Sequence, residues 1–226
     1  LSRPQKAVSP KFFYDERGSK LFESITELDA YYPTRTERRL LEEAGTDWVR
    51  ALGPRSLVEL GAGSAEKSRV LLSAMEARTG GNVYVPVDVS ADFLHQTASR
   101  IREEYPDLHV QATVVDISAP FRLPVDLPSP SWTALLGSTI GNFAPKEAVE
   151  LLKRVRTHLR PGDRFLLGVD QRPGPGKSVE MLEAAYNDEE GVTAQFNLNV
   201  LSVLNRTLGA DFHPEAFEHR AFYARD

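Results

Sequence analysis

The sequence of 226 residues contains no cysteine. This absence excludes a disulfide framework, a thiol nucleophile and a cysteine-based zinc site. The five histidines, at positions 95, 109, 158, 213 and 219, show no spacing typical of metal ligands, so we expect no metal. Because a chain without cysteine suits a reducing compartment, we predict a cytoplasmic protein.

Long apolar runs and an excess of positive charge are also missing. No stretch approaches the roughly 20 apolar residues that span a bilayer, and the start of the chain shows no signal-peptide pattern, so we expect no membrane partner. The net charge of −5 disfavours nucleic acid as a partner. With 41% hydrophobic residues the composition is that of an ordinary globular protein with one main core. We predict a monomer that acts on small molecules.

From residue 56 onward, strand and helix patterns alternate, which is typical of parallel β-α-β units. The patterns predict an α/β fold with a Rossmann-like, doubly wound sheet. Strands are predicted near 56–60, 82–88, 109–115, 132–137 and 163–169, and helices near 65–78, 91–104 and 145–159. Beyond a loop rich in proline and glycine, helices are predicted at 178–186 and 190–208 and a strand at 217–224.

The segment before the first predicted strand, residues 10–54, has helical periodicity. Thr34 and Glu37 have the spacing of a capping box, so we expect the second of its helices to start there. Three regions follow: an N-terminal helical cap at 1–54, a ligand-binding Rossmann-like core at 55–170, and a helical insertion with the start of additional C-terminal strands at 171–226.

The first predicted strand ends in a glycine-rich turn that leads into a helical pattern. Gly61 and Gly63 permit a tight turn and close approach of a ligand to the backbone, and the following helix offers unpaired N–H groups. The third glycine of the dinucleotide fingerprint is missing, because Glu66 or Lys67 stands in its place. Glu59 favours a ligand with cationic or hydroxyl groups instead. The alternative is an ordinary glycine-rich turn between strand and helix.

Acidic residues follow the next two predicted strands, where ligands of open parallel sheets bind. Asp88 suits the two hydroxyls of an adenosine ribose, or alternatively the start of a helix. Asp116 suits the amino group of adenine with Ile117 packed on the ring, although a role in a turn is an equal alternative. Lys67 suits the carboxylate of a cofactor, or is simply a solvated helix lysine.

After the fourth predicted strand, residues 137–142 have the sequence Gly-Ser-Thr-Ile-Gly-Asn. Glycines and small hydroxyl residues are poor core material, but they suit a place where the backbone approaches a cofactor. The carboxamide of Asn142 could orient a substrate. A purely structural loop is the alternative.

The chain resembles the histidine-specific Nα-methyltransferases, which use S-adenosylmethionine to make the betaine precursor of ergothioneine. Two blocks are especially specific: Tyr-Tyr-Pro-Thr-Arg-Thr-Glu at 31–37 and Gly-Ser-Thr-Ile-Gly-Asn at 137–142. Further matching blocks lie at 13–22, 57–67, 160–163, 185–186, 191–194 and 196–201. The resemblance implies a class I methyltransferase fold, S-adenosylmethionine as cofactor and S-adenosylhomocysteine as product. It also implies trimethylation of the α-amino group of L-histidine to hercynine.

The resemblance also implies roles for individual residues. Tyr31 would lie against the substrate imidazole, and Asn142 beside the amino group; these two are the catalytic candidates. Phe22 would line the pocket, with Tyr14 and Tyr186 near the substrate carboxylate. The cofactor would contact Gly61, Lys67, Asp88, Asp116 and Gly137. The complete set of cofactor candidates adds Glu59, Gly63 and Ile117, which were inferred above from the residues.

Two departures from the family pattern leave alternatives open. Asp116-Ile117 stands where the family often has Gly-Asp-Phe, and the chain stops at Asp226, where the family enters its last antiparallel strands. Those strands carry a methionine and an acidic residue for the imidazole, so we expect a truncated chain or a relative with another amino substrate. The alternatives are a methyltransferase for another amine, such as a tryptophan derivative, a nicotinamide-dependent dehydrogenase, and a binding module without catalysis.

Overall fold

The computed structural model describes residues 4, 6–78 and 81–225. The chain forms two compact units. The sheet unit consists of residues 33–170, and the helical unit is formed by the two ends of the chain, up to residue 32 and from residue 171. The three-part division at 1–54, 55–170 and 171–226 stays a prediction.

The described residues contain seven α-helices and six β-strands. The helices are α1 (Glu16–Glu27), α2 (Tyr32–Leu52), α3 (Arg69–Glu76), α4 (Ala91–Glu104), α5 (Pro145–His158), α6 (Val179–Ala184) and α7 (Val192–Leu208). The strands are β1 (Ser56–Leu60), β2 (Val83–Asp88), β3 (His109–Val110), β4 (Thr113–Val114), β5 (Ser131–Leu135) and β6 (Arg164–Leu167). None of these helices is both long and apolar enough to cross a membrane.

The sheet unit contains one parallel sheet in the order β3-β2-β1-β5-β6, with β4 also paired with β2. Strand β1 is central and buried along its whole length. Its side chains alternate between two cores, as the period of a strand requires. Leu57 packs into one apolar cluster with Tyr84 and Trp132, whereas Val58 packs into the other with Val85. The predicted α/β fold with a parallel sheet is confirmed.

The helical unit is built around α7, which packs on α1 and on a short 3₁₀ helix at Pro10–Phe13. Asp15 begins α1 and accepts the Gly18 N–H at 2.8 Å. The same carboxylate binds Asn199 at 2.8 Å and Arg206 at 2.6 Å on α7. Burial raises the pKa of Asp15, but these donors together lower it below its usual value.

Several predicted boundaries are wrong. Helix α2 begins at Tyr32, so Thr34 lies inside the first turn and is not the N-cap of the predicted capping box. Helix α3 begins four residues later than predicted, because Ala65 has a φ of 59° that no α-helix accommodates. The predicted strand at 109–115 is two short strands, and the described part of 217–224 forms no strand.

Candidate functional site

The strand order of the sheet reverses at β1, since β2 lies on one side of it and β5 on the other. Ligands of open α/β sheets bind in the crevice beyond the carboxyl ends of such neighbouring strands. The loop after β1 begins at Gly61, and the loop after β5 begins at Leu136. The two loops are adjacent, because a Cβ placed on Gly61 would lie 3.7 Å from Thr139 Cγ2.

The loop after β1 is held by hydrogen bonds to β2 and α4. Gly61 and Ala62 donate their N–H groups to the Val87 carbonyl at 2.8 and 3.0 Å. Gly63 donates its N–H to Asp88 Oδ2 at 3.1 Å, and its carbonyl accepts the Thr97 hydroxyl at 2.9 Å. Gly61 has a φ of +70°, where a side chain would be strained. The turn therefore keeps backbone, not side chains, at the mouth of the crevice.

Asp88 has the role at the start of a helix that the sequence offered as an alternative, and ribose binding stays a prediction. Its Oδ1 accepts the Ser90 N–H at 3.0 Å at the start of α4, while Oδ2 holds Gly63. Burial raises the pKa of Asp88, and the hydrogen bonds from Ser90 and Gly63 only partly oppose this. Each carboxylate oxygen can accept more than one hydrogen bond, so Asp88 can still accept from a ligand hydroxyl.

Glu59 lies inside the protein, not on the surface of the loop. It is 3% exposed and accepts the Tyr84 hydroxyl at 2.5 Å. Burial raises the pKa of Glu59, outweighing the hydroxyls of Ser68 and Tyr84 and the charge of Lys67, which lower it. The pKa of Tyr84 is raised as well, by burial and by the Glu59 charge. Glu59 therefore forms a buried polar pair with Tyr84.

Lys67 precedes α3 and is paired with Glu37, so the alternative of a solvated helix lysine is wrong, while contact with a cofactor carboxylate stays a prediction. Its ammonium binds Glu37 Oε2, and the two side chains are only 19% and 15% exposed. Both oxygens of Glu37 also lie 2.9 Å from the Gly137 nitrogen, which donates to the carboxylate. Glu37 was missed as a site residue because its position fitted a capping box. The signal that could have identified Glu37 as a site residue was its position in the family-specific block at 31–37.

The segment after β5 is held by its own backbone and by a hydrogen bond from the loop that follows β6. Gly137 and Ser138 have φ angles of +72° and +55°, and a short 3₁₀ helix runs from Thr139 to Asn142. The Ser138 hydroxyl accepts the Asp170 N–H at 3.1 Å. Asn142 is exposed at the end of this helix. The predicted roles of Gly137 and Asn142 are compatible with these positions, although the segment is also a well-bonded turn.

Asp116 and Ile117 lie beyond β4 in a bonded turn. Asp116 Oδ1 accepts the Ser118 N–H at 2.9 Å and the Ser118 hydroxyl at 2.5 Å. Ile117 packs against the cluster that contains Val58, and its carbonyl accepts from Arg154 at 3.2 Å. The geometry supports the turn role, and contact with adenine stays a prediction for both residues.

The helical unit contains an aromatic cluster that includes four predicted substrate residues. Tyr31 is 5% exposed, and its ring lies 6.3 Å from that of Phe22 and 5.7 Å from that of Tyr186. Tyr14 lies 5.6 Å from Phe22. Phe196 was missed, yet it lies 5.4 Å from Tyr14 and 5.9 Å from Phe22. Its i, i+4 spacing from Val192 and Val200 on α7 is typical of a core position and gives no signal of a binding site.

The predicted residues are thus divided between the units. Asn142 and all the cofactor candidates lie in the sheet unit, whereas Tyr14, Phe22, Tyr31 and Tyr186 lie in the helical unit. Among the described residues, no group of three or more His, Asp or Glu side chains could hold a metal ion.

Comparison with known proteins gives matches along the whole chain. A family profile described as histidine-specific methyltransferase, SAM-dependent, matches residues 1–226. Histidine N-alpha-methyltransferase of Mycolicibacterium smegmatis is 41% identical over 226 residues, which is 100% of this chain and 69% of that protein. Ergothioneine biosynthesis protein 1 of Neurospora crassa is 30% identical over 228 residues, or 93% of this chain and 26% of that protein.

A solved structure supports the fold. A DUF574 family protein from Streptomyces avermitilis has a TM-score of 0.51 and 14% sequence identity, over 93% of this chain and 80% of that one. At this identity the likeness concerns the fold alone.

Proposed function

The chain belongs to the family of histidine-specific, S-adenosylmethionine-dependent methyltransferases, and from this membership we propose that it methylates the α-amino nitrogen of L-histidine. Three transfers would give N,N,N-trimethylhistidine, or hercynine, as a step in ergothioneine biosynthesis. The observation that carries the proposal is 41% identity along the whole chain to a histidine N-alpha-methyltransferase. Family membership also disfavours the dehydrogenase hypothesis, which the missing third glycine had already weakened.

The crevice at the ends of β1 and β5 fits S-adenosylmethionine. A Cβ at Gly63 would meet no atom within 4 Å, so the turn has open space on that side. We assign Lys67 to the carboxylate of the cofactor, since its ammonium has three donors and Glu37 needs only one. We assign Asp88 to the ribose hydroxyls, because its oxygens keep acceptor capacity.

The remaining cofactor candidates are proposed to contribute to the same site. Gly137 gives its N–H to Glu37, so a cofactor contact there would use its carbonyl oxygen. Asp116 would accept the adenine amino group, with Ile117 against the ring. Gly61 would offer its backbone, and Glu59 would act from the interior through its charge.

We assign the substrate to the aromatic side chains and to Asn142. Tyr31 is nearly buried within its aromatic cluster, at 5% exposure. It would pack against the imidazole together with Phe22. Tyr14 and Tyr186 would donate to the substrate carboxylate, which a phenol can do while packing through its ring. The Asn142 carboxamide would accept a hydrogen bond from the amino group.

Catalysis by this chain is mainly positioning. When bound, S-adenosylmethionine supplies a methyl group that its sulfonium has already activated. Tyr31 and Asn142 would orient the lone pair of a neutral amine, and apolar rings such as Phe22 would exclude water. The proton released by the amine would pass to water hydrogen-bonded to Tyr14, Tyr31 or Asn142.

The direct test is mass spectrometry of L-histidine incubated with S-adenosylmethionine and the protein. We expect products carrying one, two and finally three added methyl groups. Parallel incubations offer tryptophan or tryptamine in place of histidine. If histidine stays unmodified while one of these is methylated, the substrate is a tryptophan-derived amine. Absence of any methylated amine would identify a binding module.

Asn142→Ala provides a matched variant. We expect kcat/KM for histidine to fall by about 100-fold, the scale of lost substrate positioning. Affinity for S-adenosylhomocysteine should stay unchanged by calorimetry, because Asn142 is not assigned to the cofactor. Unchanged turnover would remove Asn142 from the catalytic residues.

We further propose a cytoplasmic monomer. The absence of cysteine suits a reducing compartment. Tyr14, Phe22 and Tyr31 pack within their own chain, and Tyr186 contacts Tyr31. Light scattering at micromolar concentration should give the mass of one 25.2 kDa chain. Cell fractionation should place the protein with soluble cytoplasmic enzymes.

A further inference from the structure

The carboxylate of Glu37 lies beside residues that follow the carboxyl ends of three strands. Its carboxylate accepts the N–H of Gly137, which follows β5, and binds the ammonium of Lys67, which follows β1. Gly168, the residue after β6, leaves the space for it: a Cβ at that position would lie 1.8 Å from Glu37 Oε1. Only a glycine at 168 is compatible with the observed position of the carboxylate.

The ion pair of Glu37 with Lys67 is more buried than an ordinary surface ion pair. The Glu37 and Lys67 side chains are 15% and 19% exposed, whereas other lysine pairs, such as Lys20 with Glu16, are more than half exposed. A lysine side chain has about 2 kcal/mol of rotamer entropy. Glu37 removes much of this freedom before any ligand binds, and it directs the two remaining Lys67 donors away from itself.

Lys67 is also confined from a second side. A Cβ at Gly137 would lie 3.0 Å from Lys67 Nζ, so the ammonium lies against the Gly137 backbone. Glu37 holds both of these groups, and the proposed function assigns both to the cofactor. A carboxylate in this position keeps the lysine charge balanced in the free protein, which lowers the cost of its burial.

We infer that Glu37 is a positioning residue for the amino-acid end of the cofactor, acting through Lys67 and Gly137. The inference rests on the proposed function, which places the cofactor carboxylate at Lys67. Glu37 anchors the lysine so that the ammonium bridges two carboxylates, one of the protein and one of the ligand. Its effect is therefore specific to ligands that carry the amino-acid portion.

Two ligands separate this role from general support of the fold. S-adenosylhomocysteine carries the amino-acid end, whereas 5′-methylthioadenosine has the same adenosine and thioether but lacks it. Glu37→Gln keeps the size of the side chain and an oxygen that can accept from Gly137, but it removes the charge that holds Lys67. Calorimetry should show affinity for S-adenosylhomocysteine reduced roughly 2- to 10-fold, the range for one side chain that loses its preorganisation.

The same variant should bind 5′-methylthioadenosine as the wild type does, which also shows that it is folded. In a Lys67→Met background, Glu37→Gln should cause no further loss, because the two act as one unit. Gly168→Ala, which displaces the carboxylate through the flexible end of Glu37, should reproduce the loss. Glu42→Gln, on the exposed face of the same helix, is the control and should change neither affinity.

The outcomes distinguish this inference from the proposed function. If Lys67→Met weakens S-adenosylhomocysteine but Glu37→Gln does not, the cofactor assignment stands and the positioning role is wrong. Equal weakening of both ligands by Glu37→Gln, or tighter binding of S-adenosylhomocysteine, also overturns the role. If Lys67→Met changes nothing, the assignment of Lys67 itself fails, and the inference fails with it.

Discussion

At the scale of single residues, Asp88 has a structural role in the fold and a proposed role in binding the cofactor ribose, and the two can be tested separately. It holds Gly63 through one oxygen and Ser90 through the other. Asp88→Asn replaces one acceptor by an NH₂ group that must face a backbone N–H. Loss of a hydrogen bond to a charged group costs about 1.5–3 kcal/mol. We therefore expect calorimetry to show S-adenosylhomocysteine affinity lowered by about 10- to 100-fold.

Thr97→Val separates the two roles of Asp88. It removes the other hydrogen bond that holds Gly63, at the carbonyl, without touching the acceptor proposed for the ribose. We expect it to lower the free energy of unfolding by about 1 kcal/mol and to leave ligand affinity nearly unchanged. If both variants weaken the ligand equally, Asp88 acts only by shaping the turn.

Glu59 is the second residue whose chemistry can be tested alone. Because burial raises the pKa of Glu59 in the folded protein, ionisation costs more there than in the unfolded chain. This cost is absent below the ordinary carboxyl pKa, grows as the pH rises through the raised pKa and is constant above it. Glu59→Gln keeps an acceptor for Tyr84 and can donate to the nearby Ser68 hydroxyl, so it avoids the cost.

We expect urea unfolding to show Glu59→Gln more stable than the wild type at pH 8, by on the order of 1 kcal/mol. The difference should shrink as the pH is lowered towards 5. If Glu59 serves the cofactor through its charge, affinity for S-adenosylhomocysteine should fall in the same variant, a loss of function with a gain of stability. A stability difference that does not vary with pH would show that Glu59 is not the titrating group.

At the scale of elements, the sequence predicted the parts that depend on local periodicity. The strand Ser56–Leu60 and the helix Ala91–Glu104 occur at their predicted positions, because a buried apolar run and a 3.6-residue period are local signals. The start of α3 was wrong, since the positive φ at Ala65 is imposed by tertiary structure on a residue that favours helices.

The candidate site was predictable only in part, for the same physical reason. The glycines and acids at strand ends follow from sheet topology, which fixes where successive strands end. The role of Glu37 does not, because its partners Lys67 and Gly137 are 30 and 100 residues away in the chain. Local spacing favoured a helix cap, and the long-range contacts decided otherwise.

At the scale of the whole molecule, the proposed ligand contacts divide by compact unit, which makes cofactor binding spatially testable. All eight cofactor candidates lie within residues 33–170, so cofactor binding should suppress local opening there most directly. A ligand that binds only the native state at 100 times its Kd stabilises that state by about 2.7 kcal/mol. Amides whose exchange requires opening of the bound loops should gain protection on this scale.

Hydrogen exchange followed by mass spectrometry can measure this distribution. With S-adenosylhomocysteine we expect slower exchange in peptides that contain residues 61–67, 88–90 and 137–139. Peptides that cover Tyr14, Phe22 and Tyr186 should change much less, because their proposed ligand is the amino-acid substrate. Uniform protection of both units would instead mean that cofactor binding limits a single global opening, since only opening of the whole chain couples distant amides equally.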